Sequence, residues 1–388
     1  VLLLVVNGLF ITANALSGTF LGVYLWKESS DFVLLGWFTL LTHVFMALTF
    51  WIAGNGVKEG NKMIILRAGI GVSAAFYGLV LLLGKSAIQY FWLLGVVQGI
   101  AFGLFWLTFN VIYFEATNAA NRDRFNGWAG VIGSIVGMIA PWCSGFLISR
   151  MAGESGYRVV FMISFGLFLA GIGVSFLLHK RTTEGSYDWL LTLRALRKPH
   201  ASWRPIVVAL AAQGLRESIF GIIIGVLVYI QTGSELQLGN FALITSAVGF
   251  VSFYVVGKWL KPAWRGWGML IGSILITIVI VPFFFGISYT TLLIFGIGVA
   301  LFLPLYTIPM TSAVFDIIGK NEESARQRVE YIVMRELALN AGRIVGMVIF
   351  IVTLYISSAP TVINWMLLIT GSSPLLSWLF MRNNLKNA

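Results

Sequence analysis

The chain has 388 residues, 58% of them hydrophobic and 11% charged, with a mean hydropathy of +0.89. A water-soluble domain needs far more polar surface to cover itself, so a soluble globular enzyme is excluded. The formal net charge of +11 would raise nucleic acid as a partner in a soluble protein, but the placement of that charge removes the idea, as shown below.

Apolar runs of about 20 residues can span a bilayer. They predict helices at roughly 2–26, 32–56, 63–84, 88–115, 125–149, 157–178, 205–231, 235–260, 267–287, 289–318, 328–356 and 359–381. Val1 already lies inside the first run. No secretory signal peptide is visible, and a short native stretch is expected to precede this start. Helix 1 carries Asn7, Asn14 and Ser17, and helix 2 carries Thr42 and His43. Helix 4 holds Gln98, Phe102, Phe105, Trp106 and Asn110, and ends at Glu115. Helix 5 has a stripe of Gly130, Gly133, Gly137 and Gly145 with Pro141, and contains the single cysteine, Cys143, which excludes an internal disulfide. The link at 179–204 is polar and basic. Trp189, Leu190, Leu193 and Leu196 fall on one face there, beside Arg194, Arg197 and Lys198, and predict an amphipathic helix lying on a membrane surface.

The second half carries charge inside its apolar runs. Arg216 and Glu217 stand about 11 residues into helix 7, roughly 16 Å deep at about 1.5 Å per residue. Helix 10 contains Tyr306 between Pro304 and Pro309, which should bend it, as Pro374 should bend helix 12. Helix 11 carries Arg335, Glu336, Asn340 and Arg343. The last three are spaced i, i+4, i+7 and share one face.

Loop charge predicts orientation. With loops 2–3, 4–5, 6–7, 8–9, 10–11 and the C-terminal end on one side, that side holds 18 of the 26 lysines and arginines. The opposite side holds Lys27, Lys85, Arg150 and Arg158. The rule that positive loops stay inside places the chain in the cytoplasmic membrane with both ends cytoplasmic. The positive charge is topology, and no nucleic acid is expected as a partner.

The halves echo each other. Gly36, Phe38, Thr42, Phe50, Gly54, Lys58, Lys62 and Gly69 recur 203 residues later as Gly239, Phe241, Thr245, Phe253, Gly257, Lys261, Arg265 and Gly272. Phe114–Glu115 matches Phe315–Asp316, Arg122-x-Arg124 matches Arg326-x-Arg328, and Asn7-Gly8-Leu9 matches Gln213-Gly214-Leu215. Six helices separate the copies, so both keep one orientation. The expected fold is an all-α polytopic membrane protein of about twelve helices in two parallel, pseudo-symmetric six-helix bundles. Its domains are expected at 1–178 and 205–388, with a cytoplasmic linker at 179–204.

At these residues the chain resembles the major facilitator superfamily, over essentially its whole length. Glu115 and Arg122 look like that family's Glu-x6-Arg pair. The glycine stripe ending at Pro141 is similar to its antiporter motif, with Ala140 where the motif has glycine. In loop 2–3 the family pattern has a gating aspartate where this chain has Lys58, and Lys261 in the repeat. The resemblance implies a cavity lined by helices 1, 4, 7 and 10, flanked by 2, 5, 8 and 11. It also implies alternating access, and an inner gate in which Glu115 and Asp316 pair with Arg122, Arg124, Arg326 and Arg328.

An ionisable group at membrane depth costs several kcal/mol, about 3 on insertion scales, unless it is paired or hydrated. Two readings of the buried charges follow. In one, Arg216, Arg343, Asn340 and Asn14 bind an anionic or zwitterionic solute beside Trp106 and Tyr306. Glu217 or Glu336, with His43 as a further relay, then carries a proton. In the other, Arg216 pairs with Glu336 and Glu217 with Arg343, locking helix 7 to helix 11. Arg335 is expected in structure or gating.

The sequence holds no Walker A loop, dinucleotide fingerprint, metal-ligand cluster or nucleophile elbow, so no cofactor, metal or ATP site is expected. The expected function is secondary transport of a small solute, proton-coupled, by a monomer in the lipid bilayer. The alternatives are a proton-antiport exporter of drugs or amphiphiles, or an intramembrane lipid-modifying enzyme or non-transporting sensor.

Overall fold

The computed structural model of the chain describes residues 2–116, 122–151, 153–178, 186–197, 203–318 and 326–386, the side chains of 122–127 and 386 excepted. Among these residues there are twelve helices long and apolar enough to cross a membrane. They are α1 (Leu2–Ser29), α2 (Phe32–Glu59), α3 (Lys62–Leu83), α4 (Phe91–Ala116), α5 (Arg122–Arg150) and α6 (Ser155–Ser175). After a short linker helix (Leu191–Arg197) come α7 (Trp203–Thr232), α8 (Glu235–Trp259), α9 (Pro262–Phe285), α10 (Tyr289–Ile318), α11 (Arg328–Ile356) and α12 (Pro360–Leu385). The protein is an all-helical, multi-pass membrane protein.

Local chemistry sets the boundaries. Asp31 caps α2 by accepting from Val33 N at 2.7 Å, and Asn61 caps α3 by accepting from Met63 N at 3.1 Å. α10 runs through Pro304 and Pro309, whereas α12 breaks at Ser372, just ahead of Pro374. The exposed faces carry large apolar side chains such as Leu82, Phe176, Tyr254 and Ile369, as lipid contact requires.

The contacts divide the chain into two units. The first comprises Val1–Tyr187 with Thr232–Leu243, and the second Asp188–Gln231 with Ile244–Ala388. In the first, rings pack the core: Phe10 stacks on Phe105, and Tyr77 on Phe168. A serine bridge sits among them, with Ser17 Oγ 2.5 Å from Ser164 Oγ. The start of α8 belongs to this unit. Glu235 accepts from Lys27 at 3.0 Å and from Tyr157 at 2.9 Å.

Several contacts recur between the units at equivalent positions. A Cβ at Gly69 would stand 2.6 Å from Phe105 N, and one at Gly272 2.9 Å from Tyr306 N. Only glycine lets α3 meet α4, and α9 meet α10, this closely. In the linker, Tyr187 N donates to Glu59 at 2.6 Å within unit 1, and Asp188 N to Glu330 at 3.2 Å within unit 2. Trp189, Leu190 and Leu193 are exposed, while Leu191 is buried.

Candidate functional site

The buried charge lies in unit 2, where α7 and α11 touch. A Cβ on Gly214 would collide with the carbonyl of Leu339, and one on Gly342 with the carbonyl of Ala211. The two backbones therefore run in contact there. That brings the next polar side chains along each helix face to face.

Glu217 and Arg343 use this proximity. Arg343 Nη2 donates to Glu217 Oε2 at 2.8 Å and Nε to the same oxygen at 3.3 Å. Gln213 Nε2 donates to Glu217 Oε1 at 2.7 Å, one turn away. Asn340 is fully buried. Its amide donates to Glu336 O at 2.9 Å, and its Oδ1 accepts from Arg343 Nη1 at 3.4 Å. Of the two lock pairs expected from the sequence, Glu217–Arg343 is present. The other is corrected: Glu336 pairs with its neighbour Arg335, whose guanidinium also lies 5.6 Å from the Phe315 ring. Arg335 and Glu336 stand on the same turn and pair locally, with Arg335 Nε left without an acceptor among the described residues.

Arg216 is thereby left over. It is 6% exposed, near the middle of α7, with its guanidinium 5.0 Å from the Phe220 ring. Its Nε and Nη2 have no hydrogen-bond acceptor among the described residues. The groups near enough to act on it electrostatically are Tyr306 and Glu217. Burying a cation costs several kcal/mol, of which a ring face in a desolvated site returns about 2 kcal/mol or more. Arg216 is a buried charge without an ion-pair partner in contact among the described residues.

Tyr306 is fixed in place. Its hydroxyl donates to Ser377 Oγ at 3.0 Å, and Ser377 donates to Ala209 O at 2.7 Å, tying α10, α12 and α7 together.

The remaining candidates lie elsewhere. In unit 1, Asn14 donates to Phe10 O of its own helix at 2.9 Å, and His43 is half-buried in α2. Trp106 is half-buried with its ring 5.8 Å from that of Phe10, edge to face. Of the aromatic residues singled out on α4, Phe105 is fully buried and Phe102 and Trp106 are half-buried.

The gate residues find partners that sequence reasoning missed. Lys62 Nζ donates to both oxygens of Glu115 at 2.6 Å, and Arg265 Nη1 to Asp316 Oδ2 at 3.0 Å. Asp316 thus pairs with Arg265, and Glu115 with Lys62; the expected pairing of Glu115 with Arg122 or Arg124 lies outside the described residues. The side chains of Arg122 and Arg124 fall outside the described residues. Arg326 is exposed and Arg328 half-buried. The missed signal was in the repeat itself, because Lys62 aligns with Arg265 and Glu115 with Asp316.

An apolar cavity of about 460 Å³ lies between α1 and α5, lined by Leu4, Val5, Gly8, Leu9, Trp128 and Ile132. Among the described residues no group of three or more His, Cys, Asp or Glu could hold a metal ion.

The fold has solved counterparts. A bacterial homologue of the iron transporter ferroportin, in its outward-facing state, superimposes with a TM-score of 0.71 at 12% identity, over 99% of this chain and 98% of that one. The nucleoside transporter NupG does so with a TM-score of 0.70 at 13% identity, over 98% and 97%. At such identities the likeness is one of fold alone. In sequence, the uncharacterised protein YqgE of Bacillus subtilis (strain 168) is 38% identical over 381 residues, 98% of this chain and 88% of that protein. The model of the Major Facilitator Superfamily matches residues 3–327. With twelve spans, a paired architecture of internal contacts and a family match over most of its length, the chain belongs to the Major Facilitator Superfamily, a family of secondary transporters and not of enzymes.

Proposed function

We propose that this transporter moves a small solute bearing an anionic group across the cytoplasmic membrane by alternating access, coupled to protons, with its binding site in unit 2 around Arg216. One observation carries the reading: a buried guanidinium near the middle of a membrane-spanning helix, with two donors that have no acceptor among the described residues. A fold under selection for stability alone replaces such a group with a hydrophobe, because an uncompensated buried charge is strongly destabilising. Glu217, bound to Arg343 and Gln213, is the first candidate to take the proton, and Glu336 the second. Arg343, Asn340 and Tyr306 complete the site. The 18-to-4 division of loop charge supports cytoplasmic ends. Lys62–Glu115 and Arg265–Asp316 are the candidate gate pairs.

The test is a thermal-shift screen of the purified full chain against organic anions, amino acids, nucleosides, sugars and lipophilic cations at two pH values. A ligand of the folded state must raise the melting temperature. Stabilisation by anions that disappears in Arg216→Gln supports the reading. Stabilisation confined to neutral solutes and unchanged in that variant sinks it.

The apolar cavity between α1 and α5 favours a second reading, export of an amphiphile. Stabilisation by lipophilic cations, weakened in Trp128→Ala, would move the assignment there.

A further inference from the structure

We infer that Arg216 binds a carboxylate, and that the solute is a monocarboxylate with an apolar body. The inference rests on the transport reading above and narrows it to one chemical class.

The first argument is the geometry of the open donors. Nε and Nη2 form the side edge of the guanidinium, two parallel N–H groups matched to the two oxygens of a carboxylate. This is the pair that Arg216 leaves without an acceptor. The same unit shows what that edge takes: Arg343 turns its own Nε and Nη2 onto the carboxylate of Glu217.

The second argument is charge. Around the α7–α11 contact stand three arginines, Arg216, Arg335 and Arg343, and two glutamates, Glu217 and Glu336. Two arginines are paired, Arg335 with Glu336 and Arg343 with Glu217. One positive charge is left over. A single negative charge neutralises it, whereas a dianionic phosphate ester brings a second charge into the membrane without a partner.

The third argument comes from the repeat. Asn7-Gly8-Leu9 aligns with Gln213-Gly214-Leu215, so the next residue, Phe10, aligns with Arg216. The register of Phe114–Glu115 on Phe315–Asp316 sets Phe105 opposite Tyr306. In unit 1, Phe10 and Phe105 stack as plain core. In unit 2, the same two positions hold an arginine and a phenol. The architecture is satisfied by two phenylalanines there, so the arginine answers to something other than folding.

The surroundings set the rest of the molecule. Arg216 lies over Phe220, which stacks on Phe295 at 5.4 Å. An aromatic wall suits an apolar body attached to the carboxylate.

The experiment uses the purified full chain with four probes that share one ring: benzoate, benzamide, benzylammonium and phenyl phosphate. Melting temperature and equilibrium binding are read for each, with hexanoate and acetate as further carboxylates. The expected order has benzoate tightest, benzamide weaker by about tenfold or more because it lacks the charge that strengthens both hydrogen bonds, and phenyl phosphate weaker by about tenfold or more because its second charge has no partner. Benzylammonium is expected not to bind. Arg216→Lys keeps the charge and loses the fork, so it should weaken benzoate roughly tenfold. Benzamide or phenyl phosphate equal to benzoate, no stabilisation by any of the three carboxylates, or undiminished benzoate binding in Arg216→Lys would each overturn the inference. The ranking on the wild-type chain needs no variant to fold.

Flux in proteoliposomes separates this inference from the reading beneath it. A neutral or cationic solute carried equally by wild type and Arg216→Gln removes the carboxylate and leaves transport standing. Benzoate bound through Arg216 with no carboxylate moved removes transport and leaves the site.

Discussion

Lys62 donates to both oxygens of Glu115 at 2.6 Å with its own side chain fully buried. The equivalent residues of the second repeat, Arg265 and Asp316, form the same bridge at 3.0 Å. The duplication has conserved an ion pair while changing its chemistry from ammonium and glutamate to guanidinium and aspartate. Its burial has changed as well. Glu115 is 12% exposed and Asp316 56%.

That difference in burial sets different energies. Glu115→Ala removes the carboxylate that Lys62, a fully buried ammonium, grips through both oxygens, and is expected to destabilise the protein by about 3 kcal/mol. Asp316→Ala breaks a bridge open to its surroundings and is expected to cost under about 1 kcal/mol. Melting of the two purified variants checks this. Equal losses would show that both bridges are equally solvated.

Glu235 at the start of α8 serves two donors, Lys27 and Tyr157. Lys27 is 42% exposed and can rehydrate when the carboxylate goes, but Tyr157 is buried and cannot. Glu235→Ala is therefore expected to lose about 2–3 kcal/mol, and Lys27→Ala under about 1 kcal/mol. Denaturation of both variants in the same detergent decides it. A larger loss from Lys27→Ala would place the weight of the cluster on the wrong side.

Gly342 is expected to tolerate no side chain. A Cβ there meets the Ala211 carbonyl, a backbone atom that cannot swing aside. Gly342→Ala should cost about 1–3 kcal/mol and prise apart Glu217 and Arg343. Gly18→Ala, with nothing within 4 Å of the added carbon, is the matched control and should be silent or slightly stabilising in its helix. A Gly342→Ala protein that melts and binds like wild type would mean that the α7–α11 contact is slack.

The proposed proton coupling makes a separate demand on Glu217. Glu217→Gln is expected to abolish accumulation driven by a pH gradient in proteoliposomes and to leave solute exchange at equal pH running. Full accumulation in that variant transfers the role to Glu336. Full accumulation in Glu217→Gln and Glu336→Gln alike removes proton coupling through either residue.

The sequence alone determined the membrane class and the twelve spans, and it placed Arg216 and Glu217 near the middle of the seventh. Hydropathy and helical rise are properties of the chain read in one dimension, and the bilayer enforces them on each segment separately. The aligned glycines and charges were legible for the same reason. Partner choice was not. The Glu-x6-Arg spacing pointed Glu115 toward Arg122 and gave no hint of Lys62, which α3 delivers by approaching α4 through Gly69. Glu336 had a plausible partner across the helix contact in Arg216 and took Arg335 beside it. Which side chains meet depends on how each helix is rotated and how closely two backbones cross. A few glycine contacts set both, between residues far apart in sequence. The tertiary structure thus decided the pairing: Glu217 went to Arg343, Glu336 to Arg335, and Arg216 kept two donors without an acceptor among the described residues.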